Sequence, residues 1–108
     1  MEKLDILMQR IDKFNKDRDW DQFHSPANLA KSIAIEAGEL LECFQWDEKN
    51  YNLQDVSEEL ADVMNYCFQM AMVLGVDPKE IIMSKIEKTE KKYPVEKAKG
   101  KADKYNRL

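Results

Sequence analysis

Ile35-Glu36-Ala37-Gly38-Glu39-Leu40 and, further on, Glu58-Glu59-Leu60-Ala61-Asp62-Val63 are the two stretches that decide how this chain folds. Each holds two acids at i,i+3 spacing, which on a helix puts both carboxylates on one side, one turn apart. Each is set in an apolar stripe of helical period. The first stripe is Leu29, Ala30, Ile33, Ala37, Leu40, Leu41 and Phe44, and the second is Val56, Leu60, Val63, Met64, Cys67, Ala71 and Leu74. At about 100° per residue, Glu36 and Glu59 fall at the edges of their stripes, and Glu39 and Asp62 lie about 60° further out, in the same sense.

A short connection between two helices favours antiparallel neighbours. If the two stripes pack face to face in that way, the local two-fold axis puts equal offsets on the same side of the interface, and all four carboxylates converge. Parallel packing would separate them. Axial level agrees, since Glu39 and Glu59 both lie within ~6–9 Å of the turn at 1.5 Å rise per residue.

None of the four acids has a Lys or Arg at i±3 or i±4. Two carboxylates ~4 Å apart repel by roughly 1 kcal/mol in water and about 4 kcal/mol at an effective dielectric of 20. A cluster of four therefore calls for a cation, and all-oxygen ligation suits a hard one: Mg²⁺ or Mn²⁺ first, Ca²⁺ second. The competing reading is a solvated acidic face, the default state of Glu. Glu58 and Glu59 also have a purely structural reason to stand in the first turns of a helix, where the dipole favours acids. Glu58 points about 100° away from Glu59 and is left out of the site.

The chain has 108 residues, 44% of them hydrophobic and 35% charged, a composition that is globular rather than disordered. That length supports one domain, 1–108, with a thin core, so completion of the core by oligomerisation is expected. The net charge of −4 is unevenly spread. Residues 1–83 hold 17 acidic and 8 basic side chains, and residues 84–108 hold 4 acidic and 9 basic. An acidic body with a basic tail at about 95–108 can hold a metal–phosphate substrate between them, although lysines there also serve plain solubility. The acidic body argues against stable nucleic-acid binding. Cys43 and Cys67 fall on or near apolar faces and lack metal-ligand spacing, so both are expected as buried free thiols of a cytoplasmic protein. With no N-terminal signal and no 18-residue apolar run, neither secretion nor a membrane span is expected.

Taken in order, residues 2–17 read as an amphipathic helix through Leu4, Leu7, Met8, Ile11 and Phe14. The connector at 18–25 breaks that period and carries Trp20, Phe23 and the one histidine, His24. Its aromatics suit stacking on a flat ligand or capping of the core. Ser25-Pro26 starts the first acidic helix, with Ser as N-cap and Pro at N1, and the helix runs to about Phe44. Trp46, in the connection that follows, either borders a pocket over the acids or plugs the helix end. Asp55 or Ser57 is the expected start of the second acidic helix. Tyr66 falls between Glu59 and Asp62 in angle, one turn further on. Gly75 ends this helix, and Asp77-Pro78 starts a fourth that runs to Lys92. The fold class is therefore all-α, a four-helix bundle-type protomer, with a partly ordered tail at 95–108.

The pattern Glu36-x-x-Glu39 followed by Glu59-x-x-Asp62 resembles the MazG-like all-α nucleoside triphosphate pyrophosphohydrolases, whose hallmark is E-x-x-E and then E-x-x-D on neighbouring helices. Further stretches look similar to the dCTP pyrophosphatase branch: Arg18 to Leu29 with its Asp19-Trp20-Asp21-Gln22-Phe23-His24, then Phe44-Gln45-Trp46, Ser84-Lys85, Lys92-Tyr93-Pro94 and Lys104-Tyr105. The resemblance covers roughly residues 10–105 and implies hydrolysis of a (deoxy)nucleoside triphosphate between its α and β phosphates, releasing pyrophosphate, with dCTP or a related non-standard dNTP as substrate. It further implies Glu36, Glu39, Glu59 and Asp62 as ligands of Mg²⁺, with Mn²⁺ as a substitute. Trp20, His24 and Trp46 would form the base-side pocket, Tyr66 would contact sugar or phosphate, and Lys85 and Lys92 would contact phosphate. A homodimer or dimer of dimers is implied as well. The connection between Trp46 and Asp55 is shorter than in many relatives.

Two other classes compete. One is a non-enzymatic helical assembly or regulatory module with a structural divalent-metal site. The other, a di-iron carboxylate bundle, needs Glu-x-x-His on two helices, and His24 lies outside both acidic helices.

Overall fold

The computed structural model describes residues 1–108. It is all-helical: α1 (Lys3–Asp17), a 3₁₀ turn (Asp21–Phe23), α2 (Pro26–Glu42), α3 (Leu53–Leu74), α4 (Pro78–Lys92), the short α5 (Val95–Ala98) and a terminal 3₁₀ turn (Tyr105–Arg107). The chain forms two compact units, Met1–Gly75 and Val76–Leu108.

In the first unit, α2 and α3 form the hairpin that the acidic stretches imply, and α1 packs on α3. Helix α2 starts where expected: Ser25 Oγ accepts from the Asn28 amide at 3.1 Å, and Pro26 needs no donor at the first helical position. Helix α3 starts earlier than Asp55 or Ser57. Its N-cap is Asn52, whose side-chain oxygen accepts from the Asp55 amide at 3.0 Å. Gly75 closes α3 at φ 71°, in the left-handed region that suits a residue without Cβ.

The connector before α2 is built rather than loose. Asp19 takes φ 54°, a conformation Asp tolerates better than most residues. The turn returns the Trp20 amide to the Asn15 carbonyl at 3.0 Å. Asn28 Nδ2 then donates to the Phe23 carbonyl at 3.0 Å, tying the connector to α2.

The core of this unit is as thin as the chain length suggests. Leu29 and Ala71 are the buried hydrophobic residues, joined by the buried amides of Asn15 and Gln69. Much of each apolar stripe stays exposed, including Leu41 at 71% and Leu74 at 55%. Cys67 is exposed and Cys43 half-buried, so the expected pair of buried thiols is not found; Cys67 lies on the part of the α3 stripe that nothing in this chain covers.

In the second unit, Asp77 caps α4 by accepting from the Lys79 and Glu80 amides, and Pro78 follows at N1. The tail is more ordered than expected. It adds α5 and the terminal turn, and the Tyr105 ring packs edge-on against Tyr93 with centroids 6.1 Å apart. No helix is long and apolar enough to cross a membrane.

Candidate active site

Glu36 on α2 and Glu59 and Asp62 on α3 each offer a carboxylate oxygen to one spot, these atoms lying within 4.8 Å of one another. The antiparallel hairpin brings them together, because residues at matched angles and matched distance from the turn meet across the interface. Glu36 and Glu59 are half-buried, while Asp62 is exposed. Glu39 stands beside them, near enough to share a proton with Glu36.

The electrostatics follow from this crowding. Glu36 is pushed up to about 7 from an ordinary 4.5, chiefly by the hydrogen bond with Glu39, then by burial, then by the charges of Glu39, Asp62 and Glu59. Glu59 is also raised, first by burial and then by the charges of Glu39 and Asp62. The neighbouring Cys43 thiol is raised by burial and by the Glu59 charge, which keeps it protonated and unreactive. No basic side chain forms an ion pair with any of the four acids; elsewhere Lys13 pairs with Asp17, and Lys16 with Asp12 and Asp21.

Two oxygens of the cluster, Glu36 Oε2 and Glu59 Oε2, are buried without a hydrogen-bond partner. Buried polar atoms are normally satisfied, so two orphaned carboxylate oxygens in one acidic cluster suit a partner that binds there. A hard divalent cation fits this all-oxygen donor set. The acidic cluster is thus a competent metal site.

The other candidate residues are spread around the two units. His24 is half-buried at the foot of the connector, with Nδ1 buried and unpartnered. Trp20 packs edge-on against Phe14, centroids 5.5 Å apart, and remains 44% exposed. Trp46 is 89% exposed after α2. Tyr66 is half-buried on α3, one turn beyond Asp62. Lys85 and Lys92 belong to the second unit, both exposed on α4, and Lys92 Nζ lies 5.1 Å from the Tyr105 ring centroid. Asn15 and Gln69 were not singled out from the sequence, yet both are buried amides. The available signal for Gln69 is its polarity within the apolar run Cys67-Phe68-Gln69-Met70-Ala71-Met72, seven residues after Asp62.

An all-helical fold with E-x-x-E and E-x-x-D brought together across a hairpin defines a class of acid-rich helical proteins whose acids could hold a metal ion. The MazG-like family signature matches residues 31–108, and the chain belongs to that family. It is similar to dCTP pyrophosphatase 1 of Mus musculus, with 35% identity over 105 residues, covering 89% of this chain and 62% of that protein. The Homo sapiens protein of the same name is 33% identical over the same length. The chain therefore spans 62% of the length of these curated relatives. Among solved structures, the crystal structure of a pyrophosphatase from Archaeoglobus fulgidus superposes with a TM-score of 0.80 at 36% identity, covering 87% of this chain and 94% of that one.

Proposed function

We propose that this protein is a Mg²⁺-dependent nucleoside triphosphate pyrophosphohydrolase. It converts a (deoxy)nucleoside triphosphate and water to the monophosphate and pyrophosphate, with dCTP or a related non-standard dNTP as substrate. The observation that carries the reading is the meeting of Glu36, Glu59 and Asp62 within 4.8 Å, with two orphaned oxygens and no basic partner. The names of the relatives, dCTP pyrophosphatase and pyrophosphatase, support this reaction class, and the former supports cytosine as the base.

In this reading Glu36, Glu59 and Asp62 hold the metal, with Glu39 as the fourth acid of the set. A bound divalent ion supplies neutralisation of phosphate charge and a lowered pKa for water near it. The chain supplies the rest. The Glu36–Glu39 pair accepts the proton of the attacking water, and either acid serves as the general base. The water oxygen bonds to phosphorus while the bridging P–O bond breaks, and pyrophosphate leaves with the bridging electrons. Trp46, which packs on little of its own chain, together with Trp20 and His24, takes the base side. Tyr66, one turn from Asp62, contacts sugar or phosphate. Lys85 and Lys92 contact phosphate.

The enzyme works as a homodimer or dimer of dimers. Ile6, Leu7, Leu41, Leu53 and Met64 are between 44% and 71% exposed, and covering one such side chain contributes about 1.5–3 kcal/mol. Free thiols at Cys43 and Cys67 suit a cytoplasmic location.

A panel of dNTPs and NTPs with Mg²⁺, scored for pyrophosphate against orthophosphate, tests the reaction. Pyrophosphate with the matching monophosphate is the expected product pair. Orthophosphate alone would reject α–β cleavage, and no turnover of any nucleotide would leave the structural-metal reading in its place.

A further inference from the structure

Helix α1 ends in a wrapped cap rather than a fray. Arg18 is its C-cap, and the next residue, Asp19, turns left-handed at φ 54°. The Asp19 amide donates to the Lys16 carbonyl at 3.1 Å, and the Trp20 amide to the Asn15 carbonyl at 3.0 Å. These bonds make a Schellman motif, which is often joined by an apolar contact between the residue after the turn and the last turns of the helix. That contact is Trp20 against Phe14, edge-on, with centroids 5.5 Å apart and planes at 75°. The Arg18 guanidinium carbon lies 3.8 Å from the centroid of the same Phe14 ring.

Glycine is the usual residue at the left-handed position, because it has no Cβ to strain there. Past α3 and α5 the chain uses it, with Gly75 at φ 71° and Gly100 at φ 76°. Past α1 it uses Asp, and the Asp side chain is engaged. Gln22 Nε2 donates to the Asp19 carbonyl oxygen at 2.8 Å and to Asp19 Oδ2 at 3.1 Å. One amide group thus grips both the backbone and the side chain of Asp19, from the far side of Trp20. A glycine would stop the helix with less strain, but would leave Gln22 only the backbone half of this grip.

Trp20 sits inside that clasp. Its amide is bound to Asn15, and its carbonyl accepts from the Phe23 amide at 2.9 Å. Its ring rests on Phe14 and is still 44% exposed. The backbone is fixed on both sides, and an open aromatic surface is presented to solvent.

We infer that Asp19 and Gln22 are positioning residues, whose clasp holds the Trp20 indole in advance in the orientation that a nucleotide meets. The inference rests on the proposed reaction, which places Trp20 on the base side. A side chain that must be ordered on binding weakens affinity by about two- to tenfold, and one already ordered does not. Loss of the clasp should therefore weaken substrate binding without changing the reaction of bound substrate, which raises KM and leaves kcat alone.

Steady-state kinetics of the full chain on dCTP with Mg²⁺ test this. Gln22→Leu and Asp19→Gly are each expected to raise KM by about two- to tenfold, with kcat unchanged. The double variant should do no worse than Gln22→Leu alone, since both changes remove one clasp. Asp19→Asn keeps an acceptor oxygen and tolerates the left-handed turn, so it should restore the native KM. Asp19→Gly also separates positioning from stability. Its melting temperature should hold or rise as the strain is relieved, while its KM worsens. A plain helix stop would be served as well by glycine in both respects. An unchanged KM in Asp19→Gly and Gln22→Leu therefore overturns the inference while the reaction stands. If no nucleotide is turned over, the reaction fails, and quenching of tryptophan fluorescence by dCMP decides the clasp separately. Weaker dCMP binding by both variants supports it; equal binding, or none by the native chain, overturns it.

Discussion

A divalent metal and a proton should compete for Glu36, and the size of that competition follows from the site. With its carboxyl at about 7, Glu36 is about 90% protonated at pH 6 and about 10% at pH 8. A cation needs the ionised form, so its apparent affinity should rise about tenfold between those two pH values. The rise approaches tenfold per pH unit well below 7 and flattens above. Glu59 is raised as well and steepens the dependence in the same direction. Calorimetric titration with Mg²⁺ or Mn²⁺ in buffers of different ionisation enthalpy measures both the affinity and the protons released. The expected release nears one proton at pH 6 and falls towards zero at pH 8. An affinity flat from pH 6 to 8, with no proton release, would refute the reasoning, since it would mean that the acids do not crowd in solution.

The same groups set the pH dependence of stability, with the opposite sign. Glu36 has a folded value near 7 against an ordinary 4.5, so its protonated form favours folding. That contribution is whole below pH 4.5 and is lost as pH rises through 7; the melting temperature of the metal-free protein should therefore decline across this window, and Mg²⁺ should raise it more at pH 8 than at pH 5. Glu59→Ala should abolish pyrophosphate release while leaving the metal-free melting temperature unchanged or higher, because it removes one of the mutually repelling charges. A drop of several degrees would show Glu59 to be a structural residue. Leu7→Asp and Met64→Lys, in the apolar groove between α1 and α3, should shift the solution mass towards one chain, as read by light scattering. Gly75→Ala should cost about 1–2 kcal/mol in denaturant melts: no neighbour lies near a Cβ there, so the whole cost is the left-handed backbone.

The hairpin and its acids were legible because they rest on local periodicity. Angle along a helix and distance from a turn are both countable in a sequence, and Glu36, Glu59 and Asp62 meet as the counting requires. Capping was half legible. Ser25, Gly75 and Asp77 stand where their side-chain or backbone chemistry demands. At the start of α3 several residues can cap, and Asn52 takes the position because its side chain reaches the Asp55 amide. Burial was less legible. A stripe says which face is apolar but not what covers it, so Cys67 and Leu74 are exposed although they fall on the stripe. Gln69 was the least legible. Its environment comes from α1 and the connector, brought beside it by tertiary packing that no period in α3 records.

The thinness of this core bears on how the site can persist at all. Leu29 and Ala71 are the buried apolar side chains of a unit that also carries crowded acids with raised pKa values. Little apolar burial is available to offset that repulsion, so the cluster must draw on whatever binds it. A ligand at one hundred times its dissociation constant stabilises the folded form by about 2.7 kcal/mol, a large share of the stability of a small domain. Covering Leu7 and Met64 by a second copy adds about 1.5–3 kcal/mol for each side chain fully buried. On the proposed function, metal binding and assembly should be linked through the hairpin itself, since α3 carries both Glu59 and Met64. Each should strengthen the other, and Mg²⁺ should tighten the oligomer by the same factor as oligomer formation tightens Mg²⁺. Dissociation constants for assembly measured with and without Mg²⁺ give that factor; a value of one would uncouple the site from the interface.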